Sequence, residues 1–210
     1  MTLRVRHDLH ALPAIAWKNG GGTTREIACR PAGAGLDDFD WRVSIATIAA
    51  DGAFSAFPGI DRTIALLRGD GVRLQSIDGS AIDHRLDTFF QPFAFDGGQA
   101  LRATLLGGES TDFNVMTRRS RFRAGLRVVR APCTLKPAAR GLVHVVAGEW
   151  MLDGDARAFG CGQGCWWDDT APQELHAAPR DTGASQAVLL VVDIIEVAEA
   201  TREDARTEIP

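Results

Sequence analysis

"TIALLRGDGVRL" (residues 63–74) reads as two short β-strands folded about Gly69-Asp70-Gly71, where positive φ costs a glycine little. "GLVHVVAGEWML" (141–152) repeats the pattern about Ala147-Gly148, and "IALLRGDGVRL" lies over "VHVVAGEWML" with Gly69 on Gly148. Each copy is followed by Phe- and Gly-rich punctuation, "FFQPFAFDGGQ" in the first half and "AFGCGQGCWWDD" in the second. A strand–glycine–strand unit used twice points to two copies of one β-barrel, with the boundary near residues 108–125.

The rest of the chain agrees with an all-β reading, because short apolar and β-branched runs are broken by Gly, Pro and Asp and helical periodicity is scarce. "WRVSIATI" (41–48) alternates, with Trp41, Val43 and Ile45 on one face and Arg42, Ser44 and Ala46 on the other. "AVLLVVDII" (187–195) is apolar on both faces, as a strand covered twice would be. The expected layout is a first barrel over residues 1–115, a second over 116–195 and a polar tail over 196–210, with exchange of a strand between barrels allowed. The tail is expected to fray or to form a short surface helix.

Composition excludes several classes. The 210 residues are 45% hydrophobic and 24% charged, with a formal net charge of -4, so no bulk charge draws the chain to nucleic acid. No apolar run reaches the roughly 20 residues that span a bilayer, and acid and histidines interrupt the N-terminal apolar stretch. The expectation is a cytoplasmic protein without membrane or nucleic-acid partners. Cys161 and Cys165 are one residue too far apart for a redox pair, and they read as small residues of a Gly-rich turn. His84 reads as lone in a polar loop. His176 follows Pro172 at a spacing seen in barrel metal motifs, but no His-x-His precedes either strand–glycine turn, so no metal and no cofactor are expected. Six arginines between 118 and 130 read as a solvated strand face.

Chemistry concentrates in three stretches. "WKNGGGTTREI" (17–27) offers Lys18 as a mobile cation, Asn19 as donor and acceptor, and three glycines that let a backbone approach a ligand or turn sharply. Lys18 precedes the glycines, so this is not a phosphate loop, and a Gly-rich bend between edge strands is the plainer alternative. Glu26 shares a face with Thr24. In "DGAFSAFPGIDR" (51–62), Asp61 and Arg62 point to opposite faces, so one of them at most looks inward. In "TDFNVM" (111–116), Asp112 and Asn114 share a face if the piece is extended.

"WKNGGGTTREI", "FDWRVSIATIAADGAFSAFPGIDRTIALLRGDGVRL" and "DFNVM", in that order over most of the first 120 residues, closely resemble the HutD/Ves family. The resemblance implies a bicupin, two cupin-like barrels in one chain, and a non-catalytic regulatory role in histidine utilisation that senses urocanate or a formylated glutamate. Ves-like members are associated instead with stress response. By position the resemblance nominates Trp17, Lys18, Asn19, Gly20, Gly21, Gly22, Thr23 and Glu26, then Arg42, Ser44, Phe54, Asp61 and Arg62, and finally Asp112, Asn114 and Met116. Ala53 departs from the pattern where proline is expected. The physical reading adds Thr24 and sets Lys18 and Arg62 on the carboxylate of a small-molecule ligand, with Trp17 against its ring and Asn19, Thr24 and Asn114 on its polar end. No catalytic residue is assigned. The rival is a metal-free isomerase or hydrolase with Glu26 and Asp61 as acid and base. A homodimer is left open, with Trp150, Trp166 and Trp167 weighed as a partner surface against core packing.

Overall fold

The computed structural model describes residues 4–77, 79, 82–169, 173–180 and 187–198. Among them the chain forms β1 (Val5–Asp8), β2 (Ile15–Ala16), β3 (Gly22–Arg30), β4 (Trp41–Ile48), β5 (Gly52–Phe54), β6 (Ile60–Arg68), β7 (Val72–Ser76), β8 (Asp83–Leu86), β9 (Phe93–Asp96), β10 (Leu101–Leu105) and β11 (Ser110–Arg118). The second half adds β12 (Phe122–Val129), β13 (Cys133–Leu135), β14 (Arg140–Ala147), β15 (Trp150–Leu152), β16 (Gln163–Trp167), β17 (Leu175–Pro179) and β18 (Val188–Glu196). One 3-10 turn, Leu9–Ala11, is the sole helical piece among the described residues.

Four sheets make two barrels, and the fold is the bicupin that the sequence resemblance implies. The first pairs a six-stranded sheet, β2-β3-β4-β11-β6-β9, with a four-stranded one, β5-β10-β7-β8. The second pairs β1-β16-β14-β18-β12 with β13-β17-β15. The opening strand therefore sits in the second barrel, with Val5 opposite Trp166 and Asp8 opposite Gln163. β11 runs on through Met116 to Arg118, so the first barrel's sheet extends beyond residue 115. Both repeat units keep their glycine turns, with φ 91° at Gly69, 90° at Gly71 and 74° at Gly148, but neither is a hairpin: β6 and β7 enter different sheets, as do β14 and β15, so each turn is a corner between the two sheets of its barrel.

The back of each larger sheet packs on the other. Trp41, Val43 and Ile45 of β4 join Phe113 and Val115 of β11 and Leu142, Leu190, Val192 and Ile194 of the second barrel in one core. β18 is covered twice, as its sequence predicts: Leu190, Val192 and Ile194 enter this joint while Leu189 and Val191 enter the second barrel's own core. Trp41 and Phe113 are almost wholly inaccessible. An aromatic ring removes roughly 150–250 Å² from water, about 4–6 kcal/mol each at about 25 cal/mol per Å², so the two anchor the joint. His7 and His144 meet edge to edge there in nearly one plane, Nε2 of His7 lying 3.0 Å from Nδ1 of His144, and Gly164 leaves room for the His7 ring. Burial pushes His7 down to about 4 and His144 down to about 3, so both are neutral near pH 7. At the rim, Arg30 of the first barrel reaches Asp168 of the second at 2.7 Å and lies over Trp166.

Several local readings change. His84 lies on β8, stacked on Phe93 with centroids 3.7 Å apart, rather than in a loop. Trp150 and Trp167 are fully buried and Trp166 packs edge-on to Trp41, so all three serve packing within the chain. Cys161 is exposed in the Gly-rich turn, while Cys165 is a buried core residue of β16. Of the arginine run, Arg123 and Arg127 lie exposed on β12, and Arg119 spans Asp61 and Asp96. Most of the tail and Pro172 lie outside the described residues. No helix among the described residues is long and apolar enough to cross a membrane.

Candidate functional site

The register of the six-stranded sheet gathers the polar residues of three distant stretches on one face. One row runs Cys29, Arg42, Met116, Arg62 and Phe95 across β3, β4, β11, β6 and β9. The next runs Glu26, Ser44, Asn114, Ile64 and Phe93, and the third runs Thr24, Ala46, Asp112 and Leu66. This is the face turned into the first barrel, because the alternate residues of β4 and β11 fill the joint between barrels. A bulge at Ile27 of β3 re-aims the strand, so that Glu26 and Cys29 both point inward although they are three positions apart. The facing sheet supplies apolar groups to this interior, Phe54, Val72, Leu74, Leu86, Leu101 and Ala103, with His84 on the same face, opposite Leu74 and stacked on Phe93.

Two arginines dominate the electrostatics. Arg42 donates through Nε to Oε2 of Glu26 at 2.7 Å, and the Glu26 side chain is 39% exposed. Arg62 is 5% exposed and has no carboxylate in ion-pair contact among the described residues. Its Nε and Nη2 each lie 3.4 Å from Oδ1 of Asn114, its Nη1 donates to the Ser55 carbonyl at 3.2 Å, and its guanidinium lies 4.3 Å from the centroid of Phe54. Phe57 and Phe95 complete the aromatic surround, and Gly97 leaves the space that the Arg62 stem fills. Burial lowers Arg62 to about 10, which leaves it charged near neutral pH. Asp112 is 2% exposed, and burial lifts its carboxyl to about 6 against the opposing pull of Arg62. Neither oxygen of Asp112 has a hydrogen-bond partner in another described residue, its own backbone N–H lying near enough to help oppose the rise, and the Ser44 hydroxyl has no partner either among the described residues. A buried polar group left without a partner costs about 1–3 kcal/mol, more if charged, so these groups call for a partner, an ordered water or a polar guest.

The structure thus brings together Thr24, Glu26, Arg42, Ser44, Arg62, Asp112, Asn114 and Met116. It places the other nominated residues elsewhere. Lys18, Asn19 and Gly20 are exposed at the tip of the β2–β3 hairpin. Asn19 spends its side-chain oxygen on the Gly21 N–H at 3.0 Å. The three glycines have conformational work: Gly20 has φ 70°, Gly21 accepts from Ala49 at 2.9 Å, and a Cβ on Gly22 would lie 2.1 Å from the Thr47 carbonyl oxygen. Of the two readings of "WKNGGGTTREI", the structure supports a bend clamped to β4. Trp17 is half-buried against the first barrel's core and donates through Nε1 to the Thr24 hydroxyl at 2.8 Å. Thr23 pairs with Thr47 on the face opposite Thr24. Asp61 turns outward as the alternation requires, pairs with Arg119 at 2.7 Å, and borders an outer groove of about 300 Å³ with Thr63, Thr117 and Arg123. Glu26 and Asp61 therefore do not form an acid–base pair. Cys29, Phe57, Phe95 and Gly97 belong to the surroundings of Arg62 or its row and escape a sequence reading, since nothing in "FAFDGG" marks it as the neighbour of residue 62.

Chemically, the interior offers a buried guanidinium with only neutral acceptors in contact among the described residues, a second guanidinium shared with Glu26, and two acceptor-capable groups without a partner in another described residue. It suits an anionic small molecule that brings its own polar groups.

The family model described as HutD matches residues 7–184. Protein Ves of Citrobacter koseri is 43% identical over 163 residues, covering 77% of this chain and 82% of that protein. The solved structure of HutD from Pseudomonas fluorescens SBW25, described as a formate condition, superposes with a TM-score of 0.79 at 29% identity, covering 93% of this chain and 100% of that one. The oxalate decarboxylase of Lactobacillus farciminis, described as a formate complex, reaches a TM-score of 0.61 at 9% identity over 91% of this chain and 90% of its own, a likeness of fold alone.

Proposed function

This chain belongs to the HutD family, and on that premise we propose that it is a non-catalytic binding protein for a small carboxylate metabolite, with a regulatory role in histidine utilisation. Urocanate and formylglutamate are the candidate ligands. The observation that carries the reading is Arg62: a buried guanidinium with no acidic partner in contact among the described residues, walled by Phe54, Phe57 and Phe95. A ligand carboxylate accepting two N–H bonds from it supplies the missing counter-charge. Charged hydrogen bonds contribute roughly 1.5–3 kcal/mol each, and two or three with some apolar contact give affinity on the order of -8 kcal/mol, or micromolar. That suits a sensor of a metabolite. Exposure grades from Glu26 at 39% to Arg62 at 5%, which supports entry along the β3 side of the barrel.

Thermal-shift and calorimetric titration with urocanate and formylglutamate test the reading, since a ligand that binds only the native state raises the melting temperature. Binding without consumption of ligand at stoichiometric protein is the expected result. Turnover would favour the enzyme reading, with Asp112 rather than Glu26 or Asp61 as its proton-transfer group, because its carboxyl near 6 suits that task. Absence of binding by either acid would overturn the proposal.

A further inference from the structure

An anion on Arg62 leaves the other half of the interior unexplained. Both oxygens of Asp112 and the hydroxyl of Ser44 are buried without a partner in another described residue. They are neighbours: Ser44 stands opposite Asn114 and Asp112 opposite Ala46, one inward-facing step apart on adjacent strands. The Arg62 guanidinium leans to the level of Asn114, because both its Nε and Nη2 lie 3.4 Å from that side-chain oxygen. Asp112 lies two residues further along the same strand, a separation of about 7 Å. The barrel interior therefore has a cationic pole and an acceptor pole, about one small molecule apart.

We infer that the site selects acids carrying an N–H donor about 5–7 Å from their carboxylate, the carboxylate meeting Arg62 and the N–H meeting Asp112 with Ser44 beside it. This rests on the carboxylate reading of the site given above. A plain carboxylic acid of the same shape fills the cationic pole but leaves Asp112 and Ser44 orphaned, and a site with unpaired buried polar groups rejects such an analogue. An N–H-bearing five-membered ring or a secondary amide on a short acid satisfies both poles. A purely apolar acid or a simple amine satisfies one.

The test is calorimetric titration of wild-type protein with an imidazolyl-acrylate and with the matching furyl-acrylate, which keeps ring size and carboxylate but has no N–H. The imidazolyl acid is expected to bind about ten- to hundredfold tighter. In Asp112→Leu, shown folded by its melting transition, the two acids are expected to bind alike, at about the level of the furyl acid in wild type. Equal binding of both acids to wild-type protein overturns the two-pole inference and leaves the carboxylate site standing. Binding of neither acid overturns the carboxylate site and this inference together. The wild-type comparison decides the matter even if Asp112→Leu does not fold.

Discussion

Replacing Asp112 by asparagine should stabilise the ligand-free protein, and should do so more as pH rises. Burial lifts this carboxyl from 3.8 to about 6, so the folded state holds the proton more tightly than the unfolded state does. The sign follows: the group's contribution is intact below about pH 4, and it is lost as pH rises through about 6. At about 1.4 kcal/mol per pH unit, ionising Asp112 near neutral pH costs the fold about 3 kcal/mol, and at about pH 5 roughly half of that is felt. Asp112→Asn keeps the size and removes the titration, so the gain should be about 3 kcal/mol near neutral pH and about half as large near pH 5. Urea unfolding of both proteins at the two pH values, without ligand, measures it. The buried His7–His144 pair acts in the opposite sense, because both rings are held below 6.5 and lose stability for the fold as the medium acidifies. That term is common to both proteins and cancels in the difference. A gain that is absent near neutral pH, or equal at the two pH values, would refute the claim that Asp112 sits uncompensated in the barrel.

Other outcomes follow from the same geometry. Arg62→Met should weaken carboxylate binding about a hundredfold, the loss of roughly 3 kcal/mol of charged hydrogen bonding, while leaving the urea midpoint unchanged or higher because a buried cation without an acid partner in contact is removed. A variant that binds normally would show that the interior is not the site. Lys18→Ala should change affinity less than about twofold, since the ammonium is exposed at a hairpin tip and surface charges are screened; a tenfold loss in calorimetric titration would mean that the hairpin folds over the ligand. Gly22→Ala should cost about 2–3 kcal/mol or more in urea unfolding, from the 2.1 Å approach to the Thr47 carbonyl oxygen, and an unchanged midpoint would mean that β3 and β4 part easily there.

The barrels were legible because turn glycines and strand periodicity are local signals. Gly69 and Gly148 mark equivalent corners between the two sheets of each barrel, and the doubly apolar run of β18 serves two cores as its pattern says. The direction of β4 was not. Its alternation separates Trp41, Val43 and Ile45 from Arg42, Ser44 and Ala46, and the habit of placing polar residues toward water would turn the arginine outward. The structure turns it in: Arg42 is 9% exposed and Ser44 is 0%. Periodicity tells that two faces differ and not which is wet, since the apolar face has a second barrel to meet. Arg62 over Asp61 likewise needed the sheet register to decide, and the bulge at Ile27, which brings Cys29 beside Arg42, leaves no trace in composition. The triple glycine attracted a ligand role because flexibility and close approach look alike in a sequence. Gly22 is close to backbone rather than to a guest.

β4 and β11 have a further consequence as shared walls. The side chains proposed to grip a metabolite and those that weld the barrels alternate along the same two strands. A guest that draws Asn114 or Ser44 by a few tenths of an ångström must tilt Phe113 or Val43 on the reverse, because neighbouring residues of an extended chain share one peptide plane. On the proposed reading, occupancy would be felt as strain at the seam, where His144 lies against Phe113 with ring centroids 5.7 Å apart. This party wall gives the proposed binding a mechanical route by which the far half can learn that the near half is full.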